Sequence, residues 1–336
     1  MPKNGQITHS RLLGVHSALG LPEMLNVMKL IQTPVEAINI WQHKVYVKRD
    51  DLLHPEFSGN KARKFAYFLN HDFPAVKRLI GYGSPQANSL YSLSALARIK
   101  GWQLDFYVDH LPCYLFNHPC GNYQAALNNG ARIIDLSQCE DRQGRNADSY
   151  IREQILTGSE EQLFVPEGGR CSFAEPGVAQ LGLEILTWKR EQGLSRLLVF
   201  LPSGTGTTAL YLQKYFLNHD PSVRVNTCAV VGGDAYLRQQ FMQLAPDEAL
   251  HPHIIAMDKR YHFGKLYLAF YQMWHEIRAT GIEFELLYDP LGWICLKQQF
   301  QQGLDEPVLY LHQGGLLGNQ SMLPRYRRKY GELSLG

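Results

Sequence analysis

No stretch of about eighteen consecutive apolar residues occurs in the 336-residue chain, so no segment has the length and composition of a membrane-spanning helix. The start, Met1-Pro2-Lys3-Asn4, lacks the charged and apolar regions of a secretory signal, and the expected location is the cytoplasm. Cysteine is sparse. Six are scattered at Cys113, Cys120, Cys139, Cys171, Cys228 and Cys295, with no framework spacing, which fits free thiols in a reducing compartment. An excess of one charge is missing too: the net charge of +2 gives no field that would argue for nucleic acid or an anionic membrane. The expected partners are small molecules or other protein chains. The one basic cluster, Arg325-Tyr326-Arg327-Arg328-Lys329, reads as a solvated helix face. Cys113, His118 and Cys120 are close enough to suggest a metal site, but no second ligand pair follows and Pro112 and Pro119 interrupt the loop, so no metal is expected.

What is present is a rhythm. Short β-branched and aromatic runs alternate with helix-length segments: Val45 to Arg49, Arg78 to Tyr82, Leu104 to Val108, Leu197 to Leu201, Arg224 to Val231, Ile254 to Met257, Phe284 to Tyr288 and Val308 to His312 read as strands. Helices are expected from Asn88 to Lys100, around Tyr123 to Asn128 and from Ala209 to Phe216. Repeated βα units imply an α/β fold with mostly parallel sheet covered by helices. The loops at Thr157 to Glu161 and Pro166 to Gly169 read as a return from one sheet to another. The expected division is a large domain from residues 1–52 and 160–336, with residues 53–159 as a smaller inserted domain.

Three loops carry the chemistry. Lys61 closes Phe57-Ser58-Gly59-Asn60-Lys61 and opens an amphipathic helix. A helix start disfavours positive charge, so it should lower the amine's pKa and favour the nucleophilic form that a Schiff base requires. Taken alone, the same pattern describes a solvated surface lysine. Pro202-Ser203-Gly204-Thr205-Gly206-Thr207-Thr208 stands between an apolar strand and a helix. Its glycines let backbone N–H groups approach an anion, its hydroxyls add donors, and the helix contributes its dipole. Neither the nucleoside-triphosphate spacing nor the third glycine of a dinucleotide fingerprint is there, so a phosphate monoester is the better guest, and a nicotinamide-dependent oxidoreductase is a weak reading. An ordinary βα turn is the alternative. The third loop, Gly81-Tyr82-Gly83-Ser84-Pro85-Gln86-Ala87-Asn88-Ser89, ends a strand where open α/β sheets place ligands; Asn88 offers an amide donor, or alternatively sits at or near a helix N-cap. An amine, a phosphate cup and an amide donor together match pyridoxal phosphate.

Lys48-Arg49-Asp50-Asp51-Leu52 followed by Ser58-Gly59-Asn60-Lys61-Ala62-Arg63-Lys64 resembles the lysine motif of the aminocyclopropane-carboxylate deaminase and D-cysteine desulfhydrase family. That family has the tryptophan-synthase-β-like fold, fold type II, of pyridoxal-phosphate enzymes. Thr33-Pro34, Gly83 to Asn88, Pro166 to Gly169, Ser203 to Thr208 and Leu311-His312-Gln313-Gly314-Gly315 are similar to its other landmarks in the same order. The resemblance implies that Lys61 joins the cofactor's aldehyde and later moves protons at the substrate α-carbon. It implies that Asn88 bonds the ring oxygen and that Ser203, Gly204, Thr205, Gly206, Thr207 and Thr208 hold the phosphate. Ser84, Gln86 and Ser89 are then candidates for the substrate carboxylate, and a homodimer is expected by analogy. Departures matter as well: Ala87 replaces a serine, Gly292 and its neighbours replace a tyrosine and the partner of the pyridine nitrogen, and Gln313 replaces a threonine. The implied activity is a lyase or deaminase on a small amino acid, D-cysteine desulfhydrase-like, with cyclopropane ring-opening disfavoured. A cofactor-binding protein with lost or altered catalysis is the alternative.

Overall fold

The computed structural model describes residues 30, 32–57 and 59–332. The readings made at Met1 to Asn4 and at Ser58 lie outside these residues. Among the described residues, ten strands form two sheets. The larger has the order β1-β2-β10-β7-β8-β9, where β1 is Val35–Ile40, β2 His43–Arg49, β7 Leu197–Ser203, β8 Val223–Ala229, β9 His253–Ile254 and β10 Val308–His312. Only the β1–β2 pair is antiparallel. The smaller sheet has the order β5-β4-β3-β6, all parallel, with β3 at Arg78–Tyr82, β4 at Gln103–Val108, β5 at Arg132–Asp135 and β6 at Gln162–Val165. This is the α/β architecture of two mostly parallel sheets expected from the sequence.

Central strands follow from composition. Every residue of β7, Leu-Leu-Val-Phe-Leu-Pro-Ser, is buried, as a parallel strand covered on both faces must be. β1 was not among the expected strands. Its turn, Trp41-Gln42, has φ of 53° and 66° without glycine or asparagine, so the usual hairpin signal is missing.

Two further expectations are corrected. Phe284 to Tyr288 is not a strand. The backbone N–H groups of Leu287, Tyr288 and Asp289 donate to the Glu285 carboxylate, that of Glu285 donates to Asp289, and that of Leu286 to Asn319, so the N–H groups from Glu285 to Asp289 are taken by side chains and not by a neighbouring strand. The strand expected from Ile254 to Met257 is the two-residue His253–Ile254, paired with β8; β6, which lies between the two expected return loops, pairs with β3 in the smaller sheet.

A buried ionic cluster fixes the Lys61 helix, Gly59–Asn70, on the larger sheet. Arg63 is bonded to Asp50 at 2.8 Å and to Glu184 at 2.7 Å, and Lys48 reaches Glu184 at 2.8 Å. Lys48, Asp50 and Arg63, with Glu184, therefore clamp β2, the Lys61 helix and the helix Glu175–Glu191 together. Where these two helices cross, a Cβ on Gly177 would stand 1.9 Å from the Arg63 carbonyl oxygen, so only glycine fits.

Candidate active site

The carboxyl ends of β3, β6, β7 and β10 open on one cavity of about 1150 Å³, lined by Lys61, Asn88, Glu167, Ser203 to Thr208, Tyr288 and Gln313 among others. Strand carboxyl ends are where an open parallel sheet can place ligands against loops and helix starts. Each candidate residue named from the sequence, Lys61, Ser84, Gln86, Asn88, Ser89 and Ser203 to Thr208, borders this cavity.

Lys61 is the third residue of its helix, and its Nζ donates to Asn60 Oδ1 at 3.0 Å. Its pKa is lowered to about 8, chiefly because burial penalises the ammonium, with the Glu167 carboxylate pulling the other way. Desolvation is thus the leading cause, where the sequence reading had credited the helix start. Lys64, one turn on, is also buried and pushed well below the usual lysine range by burial, with the Lys61 charge adding to the shift. Its Nζ is tied to the Gly168 carbonyl at 2.9 Å, whereas among the described residues Lys61 is held by a neighbouring amide alone.

That amide belongs to a short relay. Asn60 Nδ2 donates to Gln313 Oε1 at 2.9 Å, and Gln313 Nε2 donates to the Pro202 carbonyl at 2.7 Å. Asn60 N also donates to the Gln313 carbonyl at 3.1 Å, and a Cβ on Gly59 would stand 2.5 Å from that oxygen. Gln313, read from the sequence only as a departure, links the lysine helix to the end of β7. His312 is structural: buried, it donates Nε2 to the Glu283 carbonyl at 2.7 Å and accepts Gly314 N at Nδ1.

The Ser203 to Thr208 loop forms a cup at the start of the helix Thr207–His219. Ser203 Oγ accepts from Thr227 at 2.7 Å, and Thr205 and Thr207 hydroxyls lie 3.1 Å apart. Thr208 Oγ1 is buried with no partner among the described residues, an arrangement costly unless a polar guest completes it. Gly206 has φ 69°, and a Cβ there would meet Phe241 at 2.3 Å and Leu237 at 2.6 Å. Glycine is therefore required at 206 by backbone and packing as well as by the approach of any anion.

Asn88 is the first residue of the helix Asn88–Lys100, and the capping position is Ala87, so Asn88 stands beside the cap and not at it. Its Oδ1 accepts from Asn122 at 2.9 Å, which leaves Nδ2 as the donor. Gly315 packs so closely that a Cβ there would stand 2.6 Å from this nitrogen. Gln86 Nε2 donates to the Cys120 carbonyl at 3.2 Å, while Oε1 is buried without a partner among the described residues. Ser89 is buried and Ser84 exposed.

Sequence reading missed the acidic and phenolic wall. Glu285 and Asp289 are buried, border the cavity, and are both pushed up to about 7, burial being the first cause in each. Tyr288 lies against the cup, its Oη 3.3 Å from where a Gly204 Cβ would stand, and burial raises its pKa. The segment looked like a strand, so nothing marked these side chains as facing one space. Gly292, by contrast, does not border the cavity: a Cβ there would stand 2.8 Å from Tyr310 Oη, the group that donates to Asp289 at 2.6 Å.

These residues fit pyridoxal phosphate on their own chemistry. A cup with a hydroxyl that has no partner among the described residues, an amine with a lowered pKa and the Asn88 amide donor meet in one cavity. Among the described residues no group of three His, Cys, Asp or Glu side chains could hold a metal ion.

No protein-family model matches the chain. D-cysteine desulfhydrases of Yersinia pestis (strain Pestoides F) and of Yersinia pseudotuberculosis serotype O:1b are 29% identical over 155 residues, 42% of this chain and 43% of theirs. The match thus spans less than half the length of these curated relatives. Among solved structures, an ACC deaminase homologue superposes with a TM-score of 0.71 at 22% identity, covering 90% of this chain and 95% of its own. A hydrogen sulfide-producing enzyme from Fusobacterium nucleatum gives 0.59 at 14% identity, covering 90% and 99%. In sequence and in fold alike, the chain resembles the aminocyclopropane-carboxylate deaminase and D-cysteine desulfhydrase family.

Proposed function

We propose that the chain is a pyridoxal-phosphate-dependent lyase or deaminase that converts a small amino acid bearing a β-leaving group to a keto acid and ammonia. The observation that carries this reading is the Lys61 amine, lowered to about pKa 8, in the cavity whose Ser203 to Thr208 cup leaves Thr208 Oγ1 without a partner. When bound, pyridoxal phosphate supplies an aldehyde that takes up the substrate amine and an electron sink for charge at the α-carbon. Ser203, Thr205, Thr207, Thr208 and the N–H groups of the loop would hold its phosphate, and Asn88 Nδ2 its ring oxygen. Lys61 accepts the α-proton: with a pKa of about 8 roughly one-tenth of the amine is neutral at pH 7, several hundredfold more than at the ordinary lysine value. Ser84, Gln86 and Ser89 orient the substrate carboxylate. For a cysteine-like substrate the balance is amino acid plus water giving pyruvate, ammonia and sulfide.

Aminocyclopropane carboxylate should turn over poorly, because Ala87 presents a methyl group to the cavity and Gly292 lies outside it. Those same positions favour a second reading, a protein that binds the cofactor with catalysis lost or altered. A homodimer and a cytoplasmic location complete the proposal; the first rests on the family resemblance, the second on six free cysteines. We place the smaller domain around the β3 to β6 sheet, inserted into the domain of the larger sheet. A purified, cofactor-loaded sample tests the activity directly. Keto-acid and ammonia release from either enantiomer of cysteine, chloroalanine or serine is expected, and silence across that panel with cofactor bound would favour the second reading.

A further inference from the structure

We infer that the amino acid this cavity accepts carries a second anionic group, a carboxylate or a phosphate, on its side chain, and that Arg325 and Arg328 bind it. The inference deepens the proposed function and rests on it. A cavity of about 1150 Å³ lies above the roughly 300 to 1000 Å³ usual for small-molecule sites, more room than a small neutral amino acid beside one cofactor requires.

The charge at its rim is one-sided. Arg325 and Arg328 stand three residues apart on the helix Asn319–Tyr330, hence on one face, and both border the cavity. Neither has a carboxylate partner among the described residues, whereas Arg327, between them, pairs with Glu332 at 2.8 Å. Arg325 donates only to Met322 Sδ at 3.1 Å and to the Gly264 carbonyl at 3.3 Å, both neutral acceptors. Three acidic residues border the cavity: Glu285 is engaged by backbone N–H groups, Asp289 by Tyr310, and Glu167 has Arg170 and Lys61 as its neighbouring cations. A guanidinium fork without an anion beside it suits a carboxylate or phosphate, which it can grip with two parallel bonds.

Position supports the assignment. A Cβ on Gly121 would stand 3.1 Å from Gln86 Oε1 and 3.7 Å from Ser321 Cβ, so Ser321 lies next to the loop assigned to the α-carboxylate. Ser321 is one turn before Arg325 on the same helix face. The loop and the two arginines thus form one continuous wall, with Lys61 in the same cavity.

The test uses the cofactor-loaded protein and matched pairs: serine against O-phosphoserine, and alanine against aspartate and glutamate. Affinity is read from perturbation of the cofactor's absorption band and from calorimetry, so it does not depend on turnover. At least one anionic member should bind about tenfold or more tightly than its neutral partner. Preference confined to O-phosphoserine identifies a phosphate, preference confined to aspartate or glutamate a carboxylate. Arg328→Gln and Arg325→Gln should each shrink the ratio of affinities, and Arg325→Lys should restore part of it. A folding defect would lower both members and leave the ratio intact. Equal affinity within every pair, or a ratio preserved in the double glutamine variant, overturns the inference while neutral amino acids still perturb the band. If no amino acid perturbs it, the proposed function fails and takes this inference with it.

Discussion

The floor and the rim of the cavity are built by different means. At the floor, the Ser203 to Thr208 cup and Lys61 are held by buried strands, a left-handed glycine and a relay through Asn60 and Gln313. At the rim, Ser84, His110, Tyr114, His118 and Arg328 are exposed side chains from segments far apart in sequence. A floor fixed by backbone and burial can serve one unchanging group, whereas a rim of long side chains can change its guest at little cost to the fold. The difference teaches where to look for cofactor and where for specificity.

The strongest way to break the contrast is Lys61→Ala. It should abolish turnover, and the borohydride-trapped cofactor adduct should vanish with it; loss of a positioned base alone costs about a hundredfold to ten-thousandfold. An adduct that persists and maps to Lys64 would move the reactive amine one turn along the floor. Next in size is the clamp beneath it. Arg63→Met leaves the Asp50 carboxylate buried without its cation and Glu184 paired with Lys48 alone, and urea unfolding should show a loss of about 3 to 5 kcal/mol. A loss below about 1 kcal/mol would mean that the floor does not depend on that cluster.

Smaller effects sharpen the comparison. Thr208→Val keeps the shape and removes the unpartnered hydroxyl, so cofactor retention should weaken by about 1 to 3 kcal/mol in equilibrium dialysis, while folding is unaffected. Gly206 is a poor probe of the same point, since its replacement strains the backbone and strikes Phe241 whether or not an anion binds. The smallest effect is in pH. With Lys61 lowered to about 8, the cofactor-free protein should capture pyridoxal phosphate at a rate that rises tenfold per unit below pH 8 and flattens above it. An inflection near the ordinary lysine value would remove burial as the cause. The linked stability has the matching sign. Between about pH 8 and the unfolded value the unfolded chain holds the extra proton, so raising the pH stabilises the fold across that window.

Much of the floor was legible because its chemistry is local. Lys61, the glycine-spaced cup and the Asn88 loop each lie in a few consecutive residues whose types already limit the backbone. The tyrosine and carboxylate wall was not legible, because Phe284 to Tyr288 has the composition of a strand and becomes a loop only when Glu285 and Asp289 take its N–H groups. Gln313 looked like a lost hydroxyl and proved to be a link between two elements.

By itself the sequence determined the alternation of strands and helices, the parallel sheets that follow from it, and the candidate anchor residues for a phosphate and an aldehyde, since periodicity and glycine placement act over short range. Tertiary structure alone decided that these anchors share one cavity, that burial rather than the helix start leads in lowering the Lys61 pKa, and that Arg325 and Arg328 face the same space. The reason is physical: desolvation and convergence depend on which distant segments pack together, and residues such as Gly177 and Arg63 settle that packing only in the folded chain.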